Sequence, residues 1–86
     1  LTKANSFELE IISPTSSRIE TVEWVEVESP TGSFFVGPGN SPLVSVVKNK
    51  SVFSYKIIGV PGMQGFTVNE GFFRVNTESK ATVILT

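Results

Sequence analysis

An 86-residue chain with seven basic and eight acidic side chains, and with neither histidine nor cysteine, is closed to several function classes before any motif is sought. Its length fills one compact core, which leads us to expect a single domain over residues 1–86 and leaves no room for an enzyme with a separate cofactor domain. The net charge of -1 supplies no basic field for phosphates, so nucleic acid is not an expected partner, and the lack of thiols removes both a disulfide framework and thiolate metal sites. A hydrophobic share of 40% is ordinary for a globular protein, and no apolar run approaches the length of a membrane-crossing helix, so the sequence reads as soluble. Leu1 in place of methionine reads as a processed or trimmed start, and no signal-peptide pattern follows it.

Period-2 alternation begins at once. Phe7, Leu9 and Ile11 point one way and Glu8 and Glu10 the other, as a strand with one wet face requires. Residues Arg18 to Glu28 are rich in β-branched side chains around Trp24, and the alternation slips near Glu23 to Val25, which predicts a long strand with a bulge. Further strands are expected over Phe34 to Val36, Leu43 to Val47, Val52 to Ile57, Gly65 to Asn69 and Phe72 to Asn76. Ala81, Val83 and Leu85 close the set. Turn chemistry separates them at Ser13-Pro14-Thr15, Ser29-Pro30-Thr31-Gly32, Lys48-Asn49-Lys50, Glu70-Gly71 and Thr77-Glu78-Ser79, with a wider loop at Ile58 to Gln64. No window of a dozen residues holds a helical period. The expected fold is all-β: a flattened antiparallel β-sandwich or barrel of about eight to ten short strands.

Catalytic patterns are sparse. Without histidine or cysteine the commonest general base, thiol nucleophile and zinc ligands are missing. Ser51, just after Lys48 and Lys50, could form a serine-lysine dyad, but a hydrated turn is the simpler reading, and a lysine there makes a poor base. Glu26 and Glu28 share a strand face, and two carboxylates without loop oxygens make an incomplete calcium site. The Gly37-Pro38-Gly39 run lacks the lysine and following helix of a phosphate-binding loop. Asn49-Lys50-Ser51 is a glycosylation sequon only if the chain is secreted. No catalytic residue, metal or cofactor is expected. The adjacent pairs Phe34-Phe35 and Phe72-Phe73 are more telling, because neighbours on a strand face opposite ways and only one of each pair can enter a common core. Trp24 is read as a core or rim residue, with partner contact as the alternative.

The densest signal is Gly32 to Val44, with three glycines, two prolines and an aromatic pair. Pro38-Gly39 predicts a type II turn, proline presetting the first central dihedral and glycine accepting the positive one. Pro42 bars Ser41 from helical geometry and relaunches an extended run. A strand, a stiff corner and a second strand are expected.

Taken in order, Phe7 to Pro14, Val22 to Val27 and Gly32 to Val44 resemble the N-terminal β-sandwich of the epsilon subunit of F-type ATP synthases, the counterpart of the mitochondrial delta subunit. The family pattern of glycine, a small or acidic residue, apolar residues, Pro-Gly-His, a small residue and Pro-Leu is matched from Gly32 through Pro38, Gly39, Asn40, Ser41 and Pro42 to Leu43. Residues Phe66 to Val75 resemble the family's Gly-Gly-Phe hairpin, and Ala81 to Leu85 its closing strand, so the likeness covers nearly the whole chain. The resemblance implies a non-catalytic domain of the central stalk that binds the gamma subunit and the ring of c subunits and couples their rotation. It also implies a peripheral position on the cytoplasmic face of an energy-transducing membrane, or on the matrix or stromal side in an organelle. Carried onto this sequence, the contact loop is Ser33 to Pro42, with Ser33, Phe35, Pro38, Gly39, Asn40 and Pro42 as its contact residues.

Departures fall inside that loop. Asn40 stands where the family has histidine, Ser33 where an acidic residue is frequent, Phe35 in place of a glycine, and Gly37 where a larger residue is common. The 86 residues end at Thr86, where the family continues into a helical hairpin that carries its inhibitory function, so that function is not assigned to these residues, whether the hairpin was removed or is naturally absent. The alternative is a free-standing sandwich module for a protein or a carbohydrate, for which Trp24 and Tyr55 side by side on an open face would be the sign.

Overall fold

The alternating segments pair into a sheet of eight strands and no helix among the described residues. The computed structural model describes residues 5–78 and 80–86. Leu1, and Ser79 of the expected turn, lie outside the described residues. The strands are β1 (Phe7–Ile12), β2 (Ser17–Ser29), β3 (Gly32–Val36), β4 (Leu43–Val47), β5 (Ser51–Ile57), β6 (Gln64–Val68), β7 (Gly71–Val75) and β8 (Ala81–Leu85). Their order across the sheet is β4-β7-β8-β1-β2-β5-β6, with β3 beside β2.

Strand β2 organises this arrangement because it is long enough to serve three partners. Its first half pairs with β1 and its second half with β3, while β5 runs along the opposite edge. The slip expected near Glu23 is present: the β2–β5 register shifts between Val22 and Trp24, and the buried positions run Val22, Val25, Val27. The extra residue keeps both halves of the strand turned inward although the alternation breaks.

Two short connections then decide the shape. Strands β6 and β7 are joined by two residues, Asn69 and Glu70, yet stand five steps apart in the strand order. In a flat sheet five steps span about 24 Å, whereas three Cα intervals reach only about 11 Å. Strands β4 and β5, also five steps apart, are joined by residues 48–50 alone. The sheet must therefore curl until its two ends face each other. Backbone hydrogen bonds lock the curl, from Lys48 N to Glu28 O at 2.7 Å and from Lys50 N to Val68 O at 2.7 Å. Strands β4 and β6 do not pair with each other, which leaves the curl open along one side.

Aromatic rings fill the space between the facing ends. Phe53 on β5 and Phe73 on β7, both fully buried, meet at 5.9 Å between ring centroids, and Phe34 reaches Phe73 at 6.3 Å. Phe66 stacks on Phe53 at 5.4 Å. Leu9, Val22, Val25, Val47 and Val83 close the remainder without measurable exposure. At roughly 1.5–3 kcal/mol for each fully buried large side chain, this cluster is the main source of stability. A long-range polar link joins the core to its edge, where Arg18 Nη2 donates to the Tyr55 hydroxyl at 3.0 Å.

All but one of the strand pairings are antiparallel, as alternation and tight turns lead one to expect. The exception joins β1 to β8 in parallel, Leu9 opposite Ala81 and Ile12 opposite Ile84. Strand ends differ from the expected ones by a residue or so. Asn76 leaves the β7 ladder because its Oδ1 accepts from the backbone N–H groups of Glu78 and Lys80, both at 2.9 Å, and so forms the turn itself. The Ile58 to Gln64 loop is held by Lys56, whose ammonium donates to the carbonyls of Ile57, at 3.2 Å, and Val60, and sits 3.5 Å from Glu23.

At Gly71 the backbone of β7 leaves no room for a side chain: a Cβ there would lie 2.8 Å from the Ile84 carbonyl oxygen, a backbone atom that cannot step aside. Gly71→Ala is expected to lower the free energy of unfolding by about 1–3 kcal/mol, the usual cost of forcing extra volume into a packed site. Urea titration followed by Trp24 fluorescence measures it, and an unchanged midpoint would remove the close approach from the account of this hairpin.

Candidate functional site: the corner between β3 and β4

The residues that the resemblance singles out lie on one continuous surface feature. Strand β3 alternates Ser33 and Phe35 outward with Phe34 and Val36 inward, so the aromatic pair divides as strand geometry requires. Phe34 packs on the core, while Phe35 remains 62% exposed. It is not isolated: register places it beside Glu26 on β2, and its ring meets the edge of Trp24 at 5.4 Å with the planes 62° apart. Trp24, Glu26 and Glu28 share this outward face with Ser33, which stands opposite Glu28.

Beyond Val36 the chain turns sharply. Asn40 N donates to Gly37 O at 3.2 Å and Gly39 adopts a φ of 77°, which is the type II turn expected for Gly37-Pro38-Gly39-Asn40. Asn40 Nδ2 donates to the Ser41 carbonyl at 3.0 Å, which uses part of its side chain to fix the corner. Pro38, Gly39, Ser41 and Pro42 are exposed, and Pro42 leads directly into β4. The result is a stiff, largely uncharged corner with an aromatic edge at one end and the outward residues of β4 at the other.

The other candidate chemistries resolve into local structure. Ser51 Oγ donates to the Lys48 carbonyl at 2.6 Å across the β4–β5 connection, which ties the hydroxyl to the turn. Glu28 Oε2 accepts from Val52 N at 3.3 Å, taking over where the β2–β5 ladder ends, so this carboxylate extends strand pairing. No group of three or more metal-ligating side chains comes together among the described residues. Trp24 and Tyr55 lie on opposite faces: Trp24 is registered with Lys56, whereas Tyr55 is registered with Val25 and buried in the core. Sequence reasoning missed the Trp24–Phe35 contact and the anchoring role of Lys56, since both depend on the β2–β3 and β2–β5 registers and no local motif signals them.

Two measurements probe the corner. Phe35→Ser is expected to shift the Trp24 emission maximum while moving stability by no more than about 0.5 kcal/mol, as for other exposed positions; an unaltered spectrum would mean that the rings do not meet in solution. Gly39→Ala places a Cβ at a left-handed φ and is expected to cost about 1–2 kcal/mol in the same urea titration.

Comparison with known proteins bears on the fold alone. No family profile matches the chain, and no curated protein does. Among solved structures, a chain in the Euglena gracilis mitochondrial ATP synthase structure of OSCP, F1 and c-ring in rotational state 1 superposes over 99% of this chain at a TM-score of 0.86, with 14% sequence identity. A chain in the central stalk and c-ring structure of the Tetrahymena thermophila mitochondrial ATP synthase does so over 99% at a TM-score of 0.76, with 12% identity. The present chain spans 53% of the first of those chains and 66% of the second.

Proposed function

We propose that this chain is a β-sandwich domain of the central stalk of an F-type ATP synthase, of the epsilon or mitochondrial delta-like kind. The observation that carries the reading is the coincidence of two independent likenesses. The ordered motifs Phe7 to Pro14, Val22 to Val27 and Gly32 to Val44 resemble that subunit's sandwich, and the fold superposes over almost its whole length on chains from two mitochondrial ATP synthase structures that include the c-ring. All 86 residues act as one domain in this reading.

The role is mechanical. The chain binds the gamma subunit and the c-ring through the corner that contains Ser33, Phe35, Pro38, Gly39, Asn40 and Pro42, and it transmits rotation without performing chemistry. A stiff turn and an exposed aromatic suit such a contact, because rigid groups lose little entropy on docking. The substitution of Phe35 for glycine replaces a thin backbone contact with a ring, and Asn40 in place of histidine keeps a polar group while removing one that could ionise. The domain would be peripheral, on the side of the energy-transducing membrane that faces the catalytic head. No helix among the described residues is long and apolar enough to cross a membrane. The free-standing carbohydrate module loses its motivating observation, since Trp24 and Tyr55 do not share a face.

The test is co-purification. Chain and cognate gamma subunit, mixed at micromolar concentration, are expected to co-elute in size exclusion, and Phe35→Ser or Pro38→Ala to weaken the complex about tenfold or less, as single contacts of about 1 kcal/mol do. Separate elution of the folded wild-type chain and its cognate gamma would falsify the assignment.

A further inference from the structure

The outward face of β3, β2, β5 and β6 holds a polar group that the fold leaves without a use. Ladder registers run Phe35, Glu26, Ser54 and Gly65 across it in one row, with Trp24 and Glu28 two residues to either side of Glu26 along β2. Ser54 lies between the inward rings of Phe53 and Tyr55 along β5, so its side chain points outward, yet it is only 5% exposed. Its hydroxyl has no hydrogen-bond partner among the described residues. No side-chain polar atom among those residues is both sealed from solvent and unpaired, so the Ser54 oxygen opens onto the face rather than into a void. Gly65 keeps the opening clear, since a Cβ there would stand 3.5 Å from Ser54 Oγ.

Charge decides what the opening takes. Glu26, half-buried and directly opposite Ser54, has no ion-pair partner among the described residues, and neither has Glu28. The nearest cation on the face does not serve them, because the Lys56 ammonium is held by the carbonyls of Ile57 and Val60 and by Glu23. An acidic face with a spare hydroxyl calls for a donor that carries positive charge. Directly opposed residues bring their Cβ atoms to about 4.5–5.5 Å, a separation that a planar guanidinium spans with N–H groups on both the Glu26 carboxylate and Ser54 Oγ. Trp24 and Phe35, already in edge contact at 5.4 Å, add ring surface beside Glu26, which a guanidinium uses better than an ammonium does.

We infer that this face docks a partner protein through an arginine side chain, held by Glu26 and Ser54 and flanked by the Trp24–Phe35 pair. A single side chain is received on two adjacent strands, so the contact needs no flat expanse of sheet. The inference stands apart from the stalk reading, and its test uses the chain and a peptide probe.

Heteronuclear NMR titration of the chain at low ionic strength with a capped Gly-Arg-Gly peptide is expected to move the amide signals of Glu26, Ser54 and Gly65 and the Trp24 indole signal together, with a Kd of about 1–10 mM, as one charge-assisted contact supports. A capped Gly-Lys-Gly peptide is expected to bind about threefold more weakly, lacking the planar fork. Glu26→Gln should weaken arginine binding about fivefold. Ser54→Ala should remove the preference for arginine while leaving the affinity for the lysine peptide unchanged, and Glu10→Gln, on the other outward face, should leave both affinities as they are. Unaltered amide dispersion in each variant separates a lost site from a lost fold. No shifts at these residues by about 50 mM peptide, equal affinity for the two peptides, or a Ser54→Ala chain that still prefers arginine would each overturn the proposal.

Discussion

Everything in this fold follows from connections too short for a flat sheet. Two residues between β6 and β7 and three between β4 and β5 cannot cross five strand widths, so the chain folds its sheet over and brings Phe53 against Phe73. Hydrophobic burial stabilises the closed form, but chain length selects it. The bulge at Glu23 belongs to the same constraint. A strand of thirteen residues that serves partners on both edges must change its pairing partway while keeping Val22 and Val25 inside.

Closure of this kind leaves two outward faces of different character. One side presents Trp24 and Phe35 next to the rigid corner, with Glu26 and Glu28 between strands. The other exposes Val44, Val46, Phe72 and Ile19.

The sequence made most of the strands legible because each has one wet face, and alternation is a direct record of that. Turn residues were equally legible: the Gly37 to Asn40 turn forms with the dihedral that glycine was expected to supply. Pairing was not. The parallel ladder between β1 and β8 joins segments some seventy residues apart, and nothing local in Leu9 or Ala81 encodes the direction of its partner. The surface roles of Phe35 and Phe72 were half legible, since strand geometry sends one ring of each pair outward but cannot say what that ring meets. Trp24 meets Phe35 only because β2 pairs β3 in one register, and a slip of one residue would send the ring inward.

That parallel ladder has a mechanical consequence. The chain enters β1 at Phe7 and leaves β8 at Leu85, at opposite ends of two strands that run side by side in the same direction. Tension applied between these points slides one strand along the other, so the four registered pairs from Leu9–Ala81 to Ile12–Ile84 resist together. An antiparallel pair pulled from its shared end would instead open one bond at a time, like a zip. Strands β1 and β8 thus form a shear clamp at the middle of the sheet, loaded along the line from Phe7 to Leu85.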